Sequence, residues 1–473
     1  MLFNTTTFLI FFSIVYPTYL LLRRHHRAQN AMLLVASLVF YGFWDWRFLG
    51  LLAGTTSVDY VVAQKIRDTE DRRRKKAFLL VSIALNLVVL GFFKYFNFFA
   101  ESATALLHAF GMKADSITLS IALPVGISFY TFQAMSYVID VYRGDLEPTR
   151  SPLDYALFIA FFPHLVAGPI QRPVVLLPQV ARPRTLSWDQ IHAGVFLILW
   201  GYFQKVVVAD NMAQIVNPIF DTYRKHEGLD VIFAALAFTF QIYSDFSGYS
   251  DIARGLSKLM GFELLVNFKL PYFAINPTDF WLRWHVSLST WLRDYLYIPL
   301  GGNRLGPLKT YRNLFLTMLL GGLWHGAAWN FVLWGAFHGL ILVVYRLVDR
   351  HPHHEDPWSI PLAWLRVPPE MLLMFTLTVI GWILFRARSL DQAVQMVHGL
   401  GFKPSADSAE LARQLAFFTV PLIAAQIWQY KARDLLIIPK QRPLVLALIY
   451  GALLAAIVAF GVRESKEFIY FQF

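Results

Sequence analysis

Residues 72–99 read RRRKKAFLLVSIALNLVVLGFFKYFNFF, a cluster of basic residues followed by a long and mostly apolar run. The hydrocarbon core of a bilayer is about 30 Å thick, and about twenty apolar residues in an α-helix can cross it. A basic cluster at one end of such a run is typical of the cytoplasmic side of a membrane helix. The stretch therefore predicts a membrane-spanning helix over 77–99.

Comparable apolar runs recur along almost the whole chain. They predict candidate spans at residues 6–22, 31–46, 48–65, 77–99, 117–141, 153–170, 190–209, 230–250, 311–325, 329–347, 370–386, 411–429 and 443–461. Several of these, notably 31–46 and 311–325, are shorter than a full crossing requires. The sequence therefore predicts an all-α polytopic membrane protein with about eleven crossings and additional re-entrant or interfacial helices. We expect a single integral membrane domain over residues 1–473.

The composition fits a membrane protein and excludes several other classes. Of the 473 residues, 56% are hydrophobic and only 15% are charged, whereas soluble domains carry about 25% charged residues. The net charge of +11 is held in short clusters between apolar runs, such as 23–27 and 72–76, which argues against nucleic-acid binding. The chain has no cysteine, so disulfides, cysteine-ligated metals and a cysteine thioester intermediate are excluded within it.

The basic clusters also predict an orientation for the first half of the chain. The first apolar run, residues 7–22, is followed rather than preceded by basic residues, which is the reverse of a cleaved signal peptide. We expect a retained first span with its N-terminus outside, which places the basic residues 66–76 in the cytoplasm. The orientation of the second half stays open. The histidine-rich residues 351–356 have proline and polar neighbours and are interpreted as a solvated loop, so no metal site is predicted.

Polar residues that could carry chemistry concentrate between about 241 and 345. An ionisable side chain at the centre of a membrane helix costs about 2.5–3.5 kcal/mol on insertion scales, so it is a functional hypothesis by default. The first polar stretch is QIYSDFSGYSD over 241–251, in which Asp245 and Asp251 follow an apolar run. It is either a helix end that reaches the membrane interface or a polar wall that lines a cavity.

The second stretch is NPTDFWLRWHVSLSTWLRD over 276–294. An asparagine N-cap followed by proline at 276–277 predicts the start of a helix. Helical spacing then places on one face Trp281, Trp284, His285, Leu288 and Leu292, with Ser289 close by. Because Arg283 and Arg293 argue against a simple crossing, we expect an interfacial or re-entrant helix. On such a face His285 is either structural or catalytic.

The third stretch is GGLWHGAAWN over 321–330, in which His325 lies in an apolar tract beside small residues. Histidine is the side chain best suited to accept a proton near neutral pH. Transfer of an acyl group to a hydroxyl needs such a base, and the chain has no cysteine nucleophile. His338 follows thirteen residues later and would point away from His325 in an unbroken helix. The two histidines are therefore expected to share a site only if the helix breaks near 321–328.

Further stretches extend this pattern, in order, through most of the chain. They are LPVGISFYTF (123–132), DVYRGD (140–145), FPH (162–164), AGP (167–169), DFSGYSD (245–251), the run 284–297, LGGNR (300–304), YRN (311–313) continuing to WHG (324–326), GWILFRA (381–387) and YFQF (470–473). In these stretches the sequence resembles the membrane-bound O-acyltransferase family, and within it the bacterial members that serve alginate O-acetylation.

The resemblance implies a fold and a set of site residues. The fold is a ring of membrane helices around a central funnel that re-entrant helices line. His325 corresponds to the catalytic histidine of the family and His285 to a second family histidine, for which we expect a catalytic contribution. Candidates for the wall of the substrate channel are Asp245, Asp251, Arg283, Ser289, Trp324, Asn330 and His338.

The resemblance also implies a donor and partners. The donor is acetyl-coenzyme A in the cytoplasm, a substrate rather than a bound cofactor. Its phosphates are expected to approach basic residues such as Arg172, Arg283 or Arg293. The acetyl group would cross the bacterial inner membrane within the protein. Periplasmic acetyltransferases or acetyl carriers would then pass it to a secreted exopolysaccharide, either alginate-like or cellulose.

Two alternatives stay open from the sequence. Related family members transfer D-alanine to teichoic acid from a carrier protein, although the motifs match these members less well. A transporter or flippase would also show many spans, but such proteins usually place carboxylates or arginines within the membrane, whereas the deepest ionisable groups here are histidines. Residues 430–442 form only a short connection where alginate-type relatives carry an insertion, which leaves the acceptor polymer open.

Overall fold

The computed structural model describes residues 1–113, 115, 118–348, 363–462 and 468–469. Within these ranges the chain is helical and has no β-strand, so the predicted all-α class is confirmed. Contacts divide the chain into two compact units: the first comprises residues 1–195 and 253–265, and the second comprises residues 196–252 and 266–473.

The first unit consists of short and long helices, and some of them begin at a residue whose side chain caps the helix N-terminus. Its helices are α1 (Thr6–Leu21), α2 (His26–Asp45), α3 (Arg47–Asp68), α4 (Arg72–Leu90), α5 (Phe96–Ala109), α6 (Ile127–Arg143), α7 (Pro152–Ala160), α8 (Phe162–Leu165), α9 (Pro173–Ala181) and the first part of α10 (Trp188–Tyr202). At the start of α7, for example, the Ser151 hydroxyl accepts from the Asp154 N–H at 3.2 Å, while Pro152 takes the first helical position, where no N–H is needed.

The second unit contains the polar stretches of the sequence. Its helices are α11 (Asp210–Asp221), most of α12 (Leu229–Leu259), α13 (Pro277–Arg283), α14 (Val286–Leu292), α15 (Pro307–His325), α16 (Trp329–Val348), α17 (Ala363–Arg386), α18 (Leu390–His398), α19 (Ser408–Ala432) and α20 (Pro443–Phe460). A π-helical turn, Phe203–Ala209, joins α10 to α11, and another, Arg293–Tyr297, follows α14.

Among the described residues, seven helical segments are long and apolar enough to cross a membrane. They are Arg72–Ala109, Trp188–Asp221, Leu229–Leu259, Trp329–Val348, Leu365–Arg386, Ser408–Ala432 and Pro443–Phe460. The chain is thus a multi-pass membrane protein, as the sequence predicts. The total of about eleven crossings, the funnel and the single domain stay predictions.

Two predicted spans, 117–141 and 153–170, are wrong in extent. Helix α6 begins only at Ile127, because residues 118–126 are not helical and end in a turn at Gly126 with φ +76°. A Cβ at Gly126 would lie 2.6 Å from the carbonyl oxygen of Leu165, so only glycine allows this packing.

The second of these spans is divided at Phe161 into α7 and α8, which have nine and four residues and are too short to cross a bilayer. Pro163 explains the division, because proline cannot donate a backbone hydrogen bond and its ring obstructs the preceding turn.

Arg184 ties the turn between α1 and α2 to the segment before α10. Its guanidinium donates to Tyr19 Oη at 3.0 Å, Asn30 Oδ1 at 2.7 Å and Gln29 Oε1 at 3.1 Å. The Tyr19 hydroxyl donates in turn to the carbonyl of Met260, just after α12, at 2.5 Å. The turn between α1 and α2, the segment before α10 and the end of α12 therefore lie close together, next to the basic cluster of residues 23–27.

Helices α15 and α16 form a tightly packed antiparallel hairpin. A Cβ at Gly322 would lie 2.8 Å from Gly335 Cα, and one at Gly335 would lie 2.4 Å from the carbonyl oxygen of Met318. Small residues that let two backbones approach closely are common where membrane helices pack. The hairpin turns at residues 326–328, which directly follow His325.

The predicted short connection at 430–442 is confirmed, since α19 ends at Ala432 and α20 begins at Pro443. The predicted solvated loop at 351–356 and the C-terminal motif at 470–473 lie outside the described residues.

Candidate active site

The continuous helix predicted over 276–294, with one apolar face, is wrong. Helix α13 ends at Arg283 and α14 begins at Val286, and between them His285 adopts the left-handed conformation, with φ +42°. Such a backbone costs a non-glycine residue about 1–3 kcal/mol and is concentrated at functional sites. The predicted stripe is therefore divided between two short helices, and His285 lies at the break.

Asn267 holds the chain at this break. Its backbone carbonyl accepts from the Val286 N–H at 2.9 Å, and its side-chain Oδ1 accepts from the Ser287 hydroxyl at 2.9 Å and from the Ser287 N–H at 3.4 Å. Because a backbone N–H can only donate, these bonds fix the orientation of the amide. His285 Nδ1 lies 3.0 Å from the same oxygen. Nδ1 therefore carries the proton, and Nε2 carries the lone pair that a base needs.

His325 is the last residue of α15 and stands at the turn of the hairpin. Its side chain is buried, and its ring centroid lies 6.2 Å from that of His285. The sequence lets His325 and His338 share a site only if the helix breaks near 321–328. The helix does break at 326–328, but the indole of Trp334 lies against both rings and separates them. The fold instead brings together His285 and His325, which are forty residues apart in the sequence and close enough to act on one small group.

Tryptophan and phenylalanine rings surround His325, and we call this set the aromatic box: Trp324, Trp334, Trp382 and Phe385. The His325 centroid lies 5.1, 5.0 and 5.6 Å from those of Trp324, Trp334 and Phe385. Trp382 packs behind Trp334 at 5.9 Å. Such surroundings exclude water, which strengthens electrostatic interactions at the imidazole and protects a reactive acyl group from hydrolysis.

His338 is buried on the other side of Trp334. Its ring centroid lies 4.7 Å from that of Trp334 and 5.1 Å from that of Trp281. The indole of Trp334 thus separates His338 from His325, and His338 contacts the aromatic box rather than the reacting pair.

A cavity of about 1130 Å³ opens between α13, α14, α15 and α16. Its wall combines apolar residues with hydroxyl, amide and guanidinium groups: Thr278, Ser289, Thr290, Arg293, Tyr297, Asn303, Thr310, Tyr311, Thr317, Tyr345 and Arg346. In the described structure the three histidines are not part of the wall. Trp281 is, and the same indole contacts His338. The cavity therefore ends next to the histidine cluster.

The three arginines proposed for the donor have different positions. Arg293 lines the cavity. Arg283 instead donates to Asp279 at 2.7 Å and to the carbonyl of Lys269 at 3.4 Å, which ties α13 to the preceding segment. Arg172 belongs to the first unit. Arg346, which the sequence reasoning did not select, is exposed on the cavity wall at the end of α16.

The two aspartates of the first polar stretch are engaged in buried contacts. Asp245 pairs with Lys205 at 2.8 Å and accepts from the Ile469 N–H at 2.6 Å, and Lys205 also bonds Asp210 at 3.0 Å. Asp251 accepts from the Gln204 side chain at 3.0 Å. These groups join the π-helical turn after α10 to α12, a type of turn that is frequent at functional sites.

Two other predicted channel residues contact the backbone. Asn330 donates to the carbonyl of Ala387 at 2.8 Å and so ties the turn of the hairpin to the end of α17. The Ser289 hydroxyl lines the cavity and donates to the Trp284 carbonyl at 3.1 Å.

Sequence reasoning missed Asn267, Lys205 and Arg346. A lysine within the predicted span 190–209 is an intramembrane charge, which is the signal that identified the histidines. Asn267 gave a weaker signal, a polar residue within an apolar run, because its role depends on a contact with residues 285–287. Among the described residues, no three His, Asp or Glu side chains gather in a way that could hold a metal ion.

Comparisons with known proteins identify the family of the chain. The family described as membrane-bound O-acyltransferase matches residues 147–363. A probable alginate O-acetylase of Pseudomonas putida is 40% identical, with each chain covered completely. A peptidoglycan O-acetyltransferase of Helicobacter pylori is 37% identical over 85% of this chain and 80% of its own. A teichoic acid D-alanyltransferase of Bacillus subtilis is 30% identical over 51% of this chain and 62% of its own.

Proposed function

Because this chain belongs to the membrane-bound O-acyltransferase family, and is therefore an O-acyltransferase of the membrane, we propose that it transfers acetyl groups from cytoplasmic acetyl-coenzyme A for O-acetylation of a secreted exopolysaccharide. The buried His285–His325 pair, whose ring centroids lie 6.2 Å apart, is the observation that carries this proposal. The names of the relatives favour acetyl over D-alanyl transfer, since the alginate-type protein matches over its whole length.

Hydrogen bonds support an assignment of which end of the site faces the cytoplasm. The end of α12 contacts Tyr19, near the basic cluster 23–27, which the positive-inside rule assigns to the cytoplasm. Within the second unit, the Leu229 N–H at the start of α12 donates to the carbonyl of Lys403 at 3.0 Å. The start of α12 and the segment after α17 therefore lie on the same side, which we take to be extracytoplasmic.

The hairpin can then be oriented. Asn330 bonds Ala387 at the end of α17, and His325 packs on Phe385, so the turn of the hairpin points to the extracytoplasmic side. The opposite ends of α15 and α16, with Arg346 and the cavity opening, point to the cytoplasm. This arrangement suits an enzyme that receives its donor on one side of a membrane and delivers acetyl groups on the other.

The cavity suits coenzyme A. Its volume of about 1130 Å³ lies just above the usual range for ligand sites, about 300–1000 Å³, as a long ligand requires. Arg293 and Arg346 on its wall would meet the phosphates, and the hydroxyl groups of the same wall would contact the rest of the molecule. The long pantetheine arm separates the phosphates from the thioester, so the thioester would lie deeper, next to Trp281 and the aromatic box.

In this proposal His325 is the general base. It accepts the proton of the acceptor hydroxyl as the oxygen attacks the thioester carbonyl; the new C–O bond forms, the C–S bond breaks, and the proton passes to the leaving thiolate. A base placed in this way contributes about 10²–10⁴-fold in rate. His285, with its lone pair on Nε2, orients or assists the transfer. Periplasmic acetyltransferases or acetyl carriers complete delivery to the polymer. The protein lies in the inner membrane with its N-terminus on the periplasmic side.

A sided vesicle assay tests the proposal. Membrane vesicles from polymer-secreting cells would be prepared inside-out and right-side-out, and thiol release from external acetyl-coenzyme A would be followed with a thiol reagent. The enzyme itself contributes no background, because the chain has no cysteine. We expect release by inside-out vesicles that contain the wild-type protein and not by those with His325→Ala. Release only by right-side-out vesicles would contradict the proposed sidedness, and release that does not depend on this protein would contradict the donor.

A further inference from the structure

The space beside the reactive histidine is nearly filled. His325 retains only 3% of its exposure, and Trp324, Trp334 and Phe385 lie around its ring. The next residue adds to the crowding, because a Cβ at Gly326 would lie 2.1 Å from the ring of Phe331. Protein interiors are close-packed, so a group larger than the existing space requires side chains or backbone to move.

Trp334 is the central side chain of this packing. Its indole contacts both His325 and His338, and it also packs on Trp281, Trp382 and Phe385. Its backbone has little freedom to retreat, because the next residue, Gly335, is pressed against the carbonyl of Met318 in α15. The volume available next to His325 is therefore set by the size of the residue at position 334.

The cavity itself does not limit the size of the acyl group. It is larger than most ligand sites, and its wall combines hydroxyl and guanidinium groups with apolar side chains. The restriction begins at its inner end, where Trp281 separates the cavity from Trp334 and the histidines. Discrimination between acyl groups must therefore occur at the aromatic box.

We propose that Trp334 determines the acyl specificity of the enzyme by occupying the space that a chain longer than acetyl would need. This inference rests on the proposed function, since it assumes an acyl-coenzyme A donor. One additional methylene in a fitted pocket changes selectivity by about 10–200-fold. The wild-type enzyme therefore prefers acetyl over propionyl by a factor in this range, and a smaller side chain at position 334 reduces that preference.

The test compares acetyl-, propionyl- and butyryl-coenzyme A in the inside-out vesicle assay. Trp334→Leu should raise the propionyl-to-acetyl rate ratio by about tenfold or more, and Trp334→Phe should raise it less. Trp200→Leu is the matched control. Trp200 is also buried in the second unit, but it stacks on Phe196 and Phe203 rather than on a histidine. The control should keep the wild-type ratio.

The ratio distinguishes specificity from stability, because loss of folded protein lowers all three rates equally. An unchanged ratio in both Trp334 variants would overturn the inference, and so would an equal rise in the Trp200 variant. If Trp334→Leu does not accumulate in membranes, Trp334→Phe decides alone, since it keeps an aromatic ring at the position. A wild-type protein that releases no thiol from acetyl-coenzyme A contradicts the proposed function instead.

Discussion

Replacing Asn267 tests whether the geometry at the helix break serves catalysis. Asn267→Ala removes the oxygen that accepts from His285 Nδ1–H, the Ser287 N–H and the Ser287 hydroxyl. Each hydrogen bond lost costs about 0.5–1.5 kcal/mol. His285 is then no longer held in the tautomer that exposes a lone pair on Nε2, and its strained backbone loses support.

The expected fall in the maximal rate is the one caused by losing a single hydrogen bond to a reacting group. If about 1.4–2.8 kcal/mol of transition-state stabilisation depends on the orientation of His285, the maximal rate falls about 10–100-fold. The apparent KM for acetyl-coenzyme A should change little, because Asn267 does not line the cavity. Asn267→Asp retains an acceptor oxygen for Nδ1 and should keep more activity than Asn267→Ala.

Thiol release by inside-out vesicles, normalised to the amount of protein in the membrane, measures this effect. Asn211→Ala is the matched control, because the Asn211 amide donates to the backbone carbonyls of Val207 and Phe460 rather than holding a histidine. The catalytic role of Asn267 is refuted if the alanine and aspartate variants lose activity only in proportion to protein amount, so that each keeps full activity per molecule. Asn267 would then be purely structural.

Three further predictions follow. Lys205→Met removes the cation that pairs with buried carboxylates and should destabilise the protein by about 3–5 kcal/mol, measured as a lower thermal midpoint in detergent. Adding Asp245→Asn should restore part of the lost stability. A double variant no more stable than Lys205→Met would contradict the pairing. Arg293→Gln and Arg346→Gln should raise the KM for acetyl-coenzyme A more than they lower the maximal rate, and the rise in KM should be larger at low salt. Equal KM values in both variants and in the wild type would exclude these arginines from donor binding. Glu70→Cys, in a chain without cysteine, should be labelled by an impermeant thiol reagent only after cells are opened, and labelling of intact cells would reverse the predicted orientation.

The helices could be predicted well from the sequence where long apolar runs determine them. The spans at 77–99, 230–250 and 443–461 each correspond to an observed helix, because burial of apolar surface in lipid requires little tertiary information. Predictions failed where the helix is broken inside the protein. The break at Phe161 follows from Pro163, a local signal that the span prediction passed over. The break at His285 depends on a distant acceptor, Asn267, which periodicity does not report.

The candidate site was predicted in its central residues but not in its supporting ones. His285 and His325 could be selected because a histidine in an apolar tract is unusual in itself. Asp245 was selected for the same reason, yet its partner Lys205 lies forty residues earlier, and the pairing needs the fold. Trp334 could not be distinguished from other buried tryptophans, since its contacts with two histidines arise only from the hairpin and the approach of α13.

Polymer acetylation by His325→Ala is the measurement that tests the central claim most directly. Cells carrying wild type, His325→Ala or His325→Gln would be compared for acetyl content of the secreted polymer by NMR and for the amount of protein in the membrane. We expect normal protein levels, because an alanine or glutamine is cheaper to bury than an ionisable ring. We expect the rate of acetyl transfer to fall about 10²–10⁴-fold, so that the secreted polymer carries almost no acetyl groups. Normal acetylation by either variant would contradict a catalytic role for His325, and acetylation lost together with the protein would show that the residue is structural.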